Sequence, residues 1–319
     1  MRLVTVAPNP AIDRLYELDR LDRDAINRPR TETLVAGGKG LNVARAAIAL
    51  GAEVSAVALF AGHAGRWMEE TLATEGIHGR WAWADGETRT CLAIHDAADG
   101  SLTELNEAGP SLTEETWVGF VAAFRAELET GAVGLATISG SLPPGAPADG
   151  LVELASSATE AGIPIALDAG GEALRRALAV RPWLVKLNVA EAAVTLGQRI
   201  GDGATSGEDV LETAREIAAR THGAVVITRG LDGAIALGPD GAAYRVGPPA
   251  SRGSYPVGSG DAFLAGVTHA TMAGRSFVDA LRLGSAAAGA NALVRGAGRL
   301  RPADVARLER AIRVEPLSA

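Results

Sequence analysis

The sequence has a single cysteine, Cys91, so no disulfide can form within the chain, and a reducing compartment fits. Aromatic residues make up only 4% of it. Its core must therefore be built from Ala, Val, Leu and Ile, of which there is ample supply, since 47% of the residues are hydrophobic. Arg far outnumbers Lys, no basic run occurs, and the net charge is −8 with a pI near 5.3. That balance excludes a nucleic-acid footprint, while leaving local cations free to bind a phosphorylated small molecule. No uncharged apolar stretch reaches the length of a membrane span; "SAAAGANALV" is short and flanked by Arg282 and Arg295. The start "MRLVTVAPNPAIDR" lacks the pattern of a signal peptide, so a soluble cytoplasmic protein with no membrane partner is expected. The five histidines show no metal-ligand spacing. Neither the phosphate-binding pattern G-x-x-x-x-G-K-[ST] nor G-x-G-x-x-G is present at the Gly-rich turns discussed below.

What remains is an alternation of short apolar strands and helices. "RLVTVA", "EVSAVALFAG", "AVGLATISG", "IPIALDAG", "WLVKLN" and "AVVITRG" read as strands, with amphipathic helices between most of them. This predicts an α/β fold whose mostly parallel central sheet is covered on both faces, in a single domain over residues 1–319. "GAIALG" and "AAYRVG" read as a hairpin, and the last 60 residues as helical. Two segments, about 13–36 and 80–106, alternate apolar and polar residues instead. They are expected to pair into a small exposed β-sheet that acts as a lid. Ligands of parallel sheets bind beyond the carboxyl ends of the strands, so Gly-rich turns after strands are the places to search.

Four such turns stand out. "AGGKGLNVARA" sets Gly37, Gly38, Lys39 and Gly40 before a helix, where backbone N–H groups and the helix start favour an anion; a tight turn with an exposed lysine is the plain alternative. "ISGSLPPG" offers Ser139 and Ser141 at a strand end, or only a proline stop. "KLNVAEA" places Lys186, Asn188 and Glu191 together. Asn188 and Glu191 have the spacing of a capping box, a structural role that weighs as much as a water-mediated Mg²⁺ contact. "PVGSGDAFLAG" is the sharpest. Consecutive N–H groups of Gly258, Ser259 and Gly260 at a helix start can form an anion hole, with Asp261 beside them. An acid there can be only a favourable first-turn charge, or a base next to a phosphoryl group. A carboxyl with the ordinary Asp pKa of ~3.9 is ionised at pH 7.

Taken together, "NPAID" (9–13), "AGGKGLNVARA" (36–46), "ETRTCLAI" (87–94), "SGSLPPG" (139–145), "KLNVAEA" (186–192), "TRGLDGA" (228–234) and "PVGSGDAFLAG" (256–266) resemble the ribokinase-like (PfkB) sugar kinases in order and spacing. "NPAID", "GGKGLNVARA", "TELNEAGP" and "SGSLPPG" are most similar to the branch of 1-phosphofructokinase and tagatose-6-phosphate kinase. The resemblance implies a three-layer sandwich with a β-lid, ATP and Mg²⁺, room for a monovalent cation, and a homodimer formed through the lids. It implies phosphorylation of a hexose phosphate, foremost fructose 1-phosphate to fructose 1,6-bisphosphate. Tagatose-6-phosphate or fructose-6-phosphate kinase activity is the alternative, and a non-catalytic sensor the rival from another class. Asp261 then matches the catalytic base, and Gly258, Ser259 and Gly260 the anion hole. Asp13, Gly38, Lys39 and Asn42 match sugar contacts, with Arg89, Arg28 and Ser139 near the substrate phosphate. Lys186, Asn188, Glu191, Thr228, Gly230, Gly233 and Asn291 match the nucleotide side, Glu191 reaching Mg²⁺ through water. The family commonly has "GAGD", "KPN" and, in this branch, "TRTN"; here stand "GSGD", "KLN" and "TRTC", so that Cys91 replaces an amide beside the sugar.

Overall fold

A computed structural model describes residues 1–197, 206–249 and 253–317. The uninterrupted apolar strands became the centre of one ten-stranded sheet. β1 (Arg2–Ala7), β4 (Val54–Ala61), β8 (Val133–Ser139), β9 (Ile165–Asp168), β10 (Leu184–Asn188) and β11 (Ala224–Thr228) are buried on both faces and run parallel. Strand order is β11-β10-β9-β8-β1-β4, so β8 and β4 leave β1 in opposite directions. That reversal opens a crevice at the carboxyl ends of these strands.

Side-chain period two sends successive residues of each strand to opposite layers. Val4 and Val6 pack with Trp117, Phe120 and Phe124 of α3 (Glu114–Leu128) and Leu154 of α4 (Gly150–Glu160). Behind them on the same face lie α5 (Gly171–Ala177) and α7 (Gly207–Thr221). Leu3 faces the other layer, with α1 (Lys39–Ala49), α8 (Ser259–Met272), α9 (Phe277–Asn291) and α10 (Pro302–Glu309). α2 (Gly62–Thr74) extends that layer over β4. α6 (Val189–Thr195) follows β10 directly, and its start belongs to the site.

Four strands form a separate small sheet in the order β3-β2-β6-β7: β2 (Ala11–Leu18), β3 (Thr31–Gly37), β6 (Arg89–Asp96) and β7 (Leu102–Asn106). Here the structure corrects the sequence reading. Residues 80–84, expected in the lid, lie in β5 (Gly79–Ala84), which pairs parallel with β4 at the edge of the main sheet. This edge strand is partly packed on both faces: Trp81 lies 5.2 Å from Phe60, ring to ring, Ala82 and Ala84 pack on the opposite core layer, and Trp83 is 41% exposed beneath Arg66. Alternation reports a half-buried strand but not which sheet holds it. At the other edge, β12 (Ala234–Leu237) and β13 (Ala243–Val246) form the expected hairpin. The C-terminal region is not wholly helical: β14 (Val314–Pro316) pairs with β13 and closes that edge.

Candidate active site

β1 hands the chain straight to β2, and β3 returns it to the start of α1, so the small sheet stands over the carboxyl ends of β1, β8, β9 and β10. Between them lies a cavity of about 950 Å³. The α8 start forms one wall. Gly258 adopts a left-handed φ of 82°, which turns the chain back sharply. As a result the Ser259 N–H donates to the Pro256 carbonyl at 3.0 Å. Ser259 was expected to offer its N–H to an anion; the turn consumes it. The N–H groups of Gly258, Gly260 and Asp261 donate to no other described residue and stand at the positive end of α8.

Gly260 has a second reason for lacking a side chain. A Cβ there would sit 2.7 Å from Lys186 Nζ, so the lysine passes directly against the loop. Lys186 is buried and donates to Asp168 Oδ2 at 2.7 Å. Asp168 Oδ1 accepts from Lys39 Nζ at 2.8 Å, and Lys39 Nζ also donates to Glu191 Oε1 at 2.6 Å. The chain has only two lysines, and both meet on Asp168. Burial pushes the Asp168 carboxyl up, but Lys186 and Lys39 outweigh it and hold it below the usual carboxylate range. Burial likewise opposes the charge on Lys39, yet Asp168, Glu191 and Asp261 raise its pKa above the ordinary lysine value. Lys39, expected among the sugar contacts, lines the cavity and bridges the carboxylates of Asp168 and Glu191.

Glu191 serves two roles with one carboxylate. Its Oε2 accepts the Asn188 N–H at 2.9 Å while Asn188 Oδ1 accepts the Glu191 N–H at 2.8 Å, the capping box read from the spacing. Its Oε1 is the one that Lys39 engages.

Asp261 is 6% exposed. Burial first, then repulsion from Asp168, raises its carboxyl to about 7, with Lys186, Lys39 and Asn42 pulling the other way. It is therefore far less acidic than an ordinary Asp. Asn42 Nδ2 donates to Asp261 Oδ2 and to Asp13 Oδ2, both at 3.0 Å, and the Gly38 N–H also donates to Asp13. Asp13 is likewise raised by burial, against the pull of Asn42 and Gly38. Strand register sets Val35, Asp13, Cys91 and Asn106 side by side across the small sheet, all on the cavity wall. Burial raises the Cys91 thiol to about 11, so it stays protonated and unreactive. Asn106 supplies an amide on the strand opposite it. Arg89 reaches the same wall, its guanidinium docked on the carbonyls of Asn9 (2.9 Å) and Glu107 (3.0 Å).

Residues 7–304 match the pfkB family of carbohydrate kinases. The chain belongs to that family. Among the relatives of this carbohydrate kinase, a 1-phosphofructokinase of Rhodobacter capsulatus is 35% identical over 290 residues, covering 90% of this chain and 89% of the relative. Phosphofructokinase-2 from Escherichia coli, solved in complex with potassium, superposes with a TM-score of 0.85 at 28% identity, covering 98% of both chains. A possible 1-phosphofructokinase from Thermotoga maritima shares the fold with a TM-score of 0.88 at 23% identity, each chain fully covered.

Of the residues singled out in the sequence of the kinase, Thr228, Gly230, Gly233, Lys186, Asn188 and Glu191 line the same cavity as Asp13, Gly38, Asn42 and Arg89. Three fall outside the lining. Arg28 is exposed in the β2–β3 connection. Ser139 is buried beneath the floor, its hydroxyl without a partner among the described residues, while Gly140 and Ser141 line the cavity. Asn291, expected on the nucleotide side, is fully buried: its amide donates to the Val257 carbonyl (2.9 Å) and Ser259 Oγ (3.2 Å), and its Oδ1 accepts the Gly298 N–H (2.8 Å). It braces the α8 loop from behind. The residue that sequence reasoning missed is Asp168, a lone acid ending an apolar strand. The available signal was the scarcity of lysine, since both lysines lie in strand-end motifs and need a shared counter-charge.

Proposed function

We propose that this kinase transfers the γ-phosphoryl group of ATP to a hydroxyl of a hexose phosphate, with fructose 1-phosphate as acceptor and fructose 1,6-bisphosphate and ADP as products. The observation that carries this reading is the placement of Asp261: raised in pKa, joined through Asn42 to Asp13, and adjacent to unused N–H groups at the α8 start. The acceptor hydroxyl lies between Asp13 and Asp261. As its oxygen bonds to the γ-phosphorus, the bond to the ADP oxygen breaks and the hydroxyl proton passes to Asp261 Oδ. A loose phosphoryl transition state releases that proton late, which suits a base titrating near neutrality. The N–H groups of Gly258, Gly260 and Asp261, with Lys186 against them, face the charge on the transferred group. Arg89 anchors the substrate phosphate with the N–H groups that its two carbonyls leave free.

Asp168 and Glu191 already share one cation, Lys39, and their oxygens are hard donors of the kind Mg²⁺ accepts. Among the described residues no cluster of three or more acidic, His or Cys groups forms a metal cage. That fits an ion held by one or two carboxylates, waters and nucleotide phosphates, as Mg²⁺ usually is. These two residues would hold it, and when bound it would neutralise phosphate charge. The potassium-bound relative supports a monovalent cation as well.

The fructose-6-phosphate-bound form of Escherichia coli phosphofructokinase-2 supports the second reading, a 6-phosphate acceptor. An ADP-release screen over fructose 1-phosphate, fructose 6-phosphate, tagatose 6-phosphate and plain sugars separates the two. Activity highest with fructose 1-phosphate is expected; release with none of them, alongside tight calorimetric binding, would make the protein a sensor. We infer pairing of two copies through the small sheets, whose Leu105 is 57% exposed. The relative described in a tetrameric inhibited form leaves larger assemblies as the other outcome of a mass measurement. No helix among the described residues is long and apolar enough to cross a membrane.

A further inference from the structure

Arg45 follows Asn42 by one turn of α1 and is 8% exposed. Its guanidinium is fully committed. Nη2 donates to the Ala36 carbonyl (2.7 Å) and to Glu75 Oε2 (2.6 Å), and Nε also donates to Glu75 Oε2 (2.9 Å). Nη1 donates to the Ala297 carbonyl (3.4 Å) and to Asn42 Oδ1 (3.2 Å). Glu75, at the end of α2, is braced in turn by Arg299 at 3.2 Å.

The contact with Asn42 decides an orientation. A carboxamide has an accepting end and a donating end. With Oδ1 held by the guanidinium, Nδ2 must face Asp13 and Asp261. Turned over, Asn42 would set its oxygen against two carboxylates and its NH₂ against a cation, and both contacts repel. We propose that Arg45 is a positioning residue for the transfer: by fixing the Asn42 carboxamide it aims one NH₂ group at the base and at the sugar-side carboxylate together. Arg45 touches no reacting atom, and the role rests on reading Asp261 as the base. Planar, forked donors are required, because a lysine ammonium at the same point cannot span Glu75, Ala36 and Asn42 at once.

The test is a double-mutant cycle on the full chain with Arg45→Met, Asn42→Leu and both together. Arg45→Met is expected to lower kcat on the order of 10- to 100-fold, as loss of a supporting contact behind a reacting group does elsewhere, with the KM for ATP within about twofold. In the Asn42→Leu background the same change should cost less than about twofold. An additive loss, or an unchanged kcat in Arg45→Met, overturns the proposal. Should Arg45→Met fold poorly, Arg45→Lys keeps the charge against Glu75 without the fork. It is expected to fold and still lose kcat, whereas a purely structural role would lower its melting temperature and leave kcat alone. A second readout needs no turnover. The side-chain ¹⁵NH₂ signal of Asn42, assigned by its loss in Asn42→Leu, should move in Arg45→Lys; an unmoved signal refutes the coupling. If the wild type releases no ADP with any phosphosugar, the reading of Asp261 as base fails, and the amide signal still decides whether Arg45 sets Asn42.

Discussion

Replacing Asp261 with Asn should make the enzyme nearly inactive and the protein more stable. The carboxyl titrates near 3.8 when unfolded and about 7 when folded, because burial and Asp168 outweigh Lys186, Lys39 and Asn42. The native state therefore holds the proton more tightly than the unfolded state does. Stability falls as pH rises from about 4 to about 7, and the loss is complete above that. Three units at about 1.4 kcal/mol each give about 4 kcal/mol at pH 8, and roughly 2 kcal/mol at pH 5. The amide of Asp261→Asn keeps the shape, can still accept from Asn42, and carries no charge. Urea unfolding of both proteins at pH 8 and pH 5, without ligands, reads the difference. The variant should be the more stable at pH 8, with the gap shrinking by about half at pH 5. Its kcat should fall by about 10²–10⁴, the usual worth of a general base. A variant no more stable than the wild type at pH 8, or a gap independent of pH, would refute the claim that burial and Asp168 outweigh the groups that favour the Asp261 carboxylate.

Other consequences can be measured directly. Since protonated Asp261 cannot accept the hydroxyl proton, kcat/KM for the phosphosugar should fall about tenfold per pH unit below about 7 and level off above it; a flat profile down to pH 5 would count against the base. Arg89→Met should raise the KM for the phosphosugar about 10- to 100-fold and leave that for ATP unchanged, and steady-state kinetics with each substrate varied would show an equal rise in both if Arg89 only braces the fold. ATP with phosphosugar should slow amide exchange in residues 11–18, 31–37, 89–96 and 102–106 but not in 79–84; protection spread evenly over both groups would remove the lid.

The recognition loops were legible because their chemistry is local. In "PVGSGDAFLAG" Gly258 must be small to turn the chain and Gly260 to let Lys186 pass, and that demand is written at neighbouring positions. The capping box of Asn188 and Glu191 is equally local, four residues from end to end. Apolar runs and their period likewise determined the parallel sheet and its two helical layers, since burial on both faces leaves few polar positions along each strand. Tertiary structure alone decided the rest. Residues 80–84 and 89–96 alternate alike, yet one strand joined the main sheet and the other the small sheet, because packing of Trp81 on Phe60 is not visible in a pattern of polarity. The role of Asp168 depends on lysines 129 and 18 positions away, and that of Arg45 on Glu75 and Ala297. Even the acidity of Asp261 was set this way. Its residue type predicted an ionised carboxylate at pH 7, and only the fold, by burying it beside a second acid, moved it to the edge of protonation.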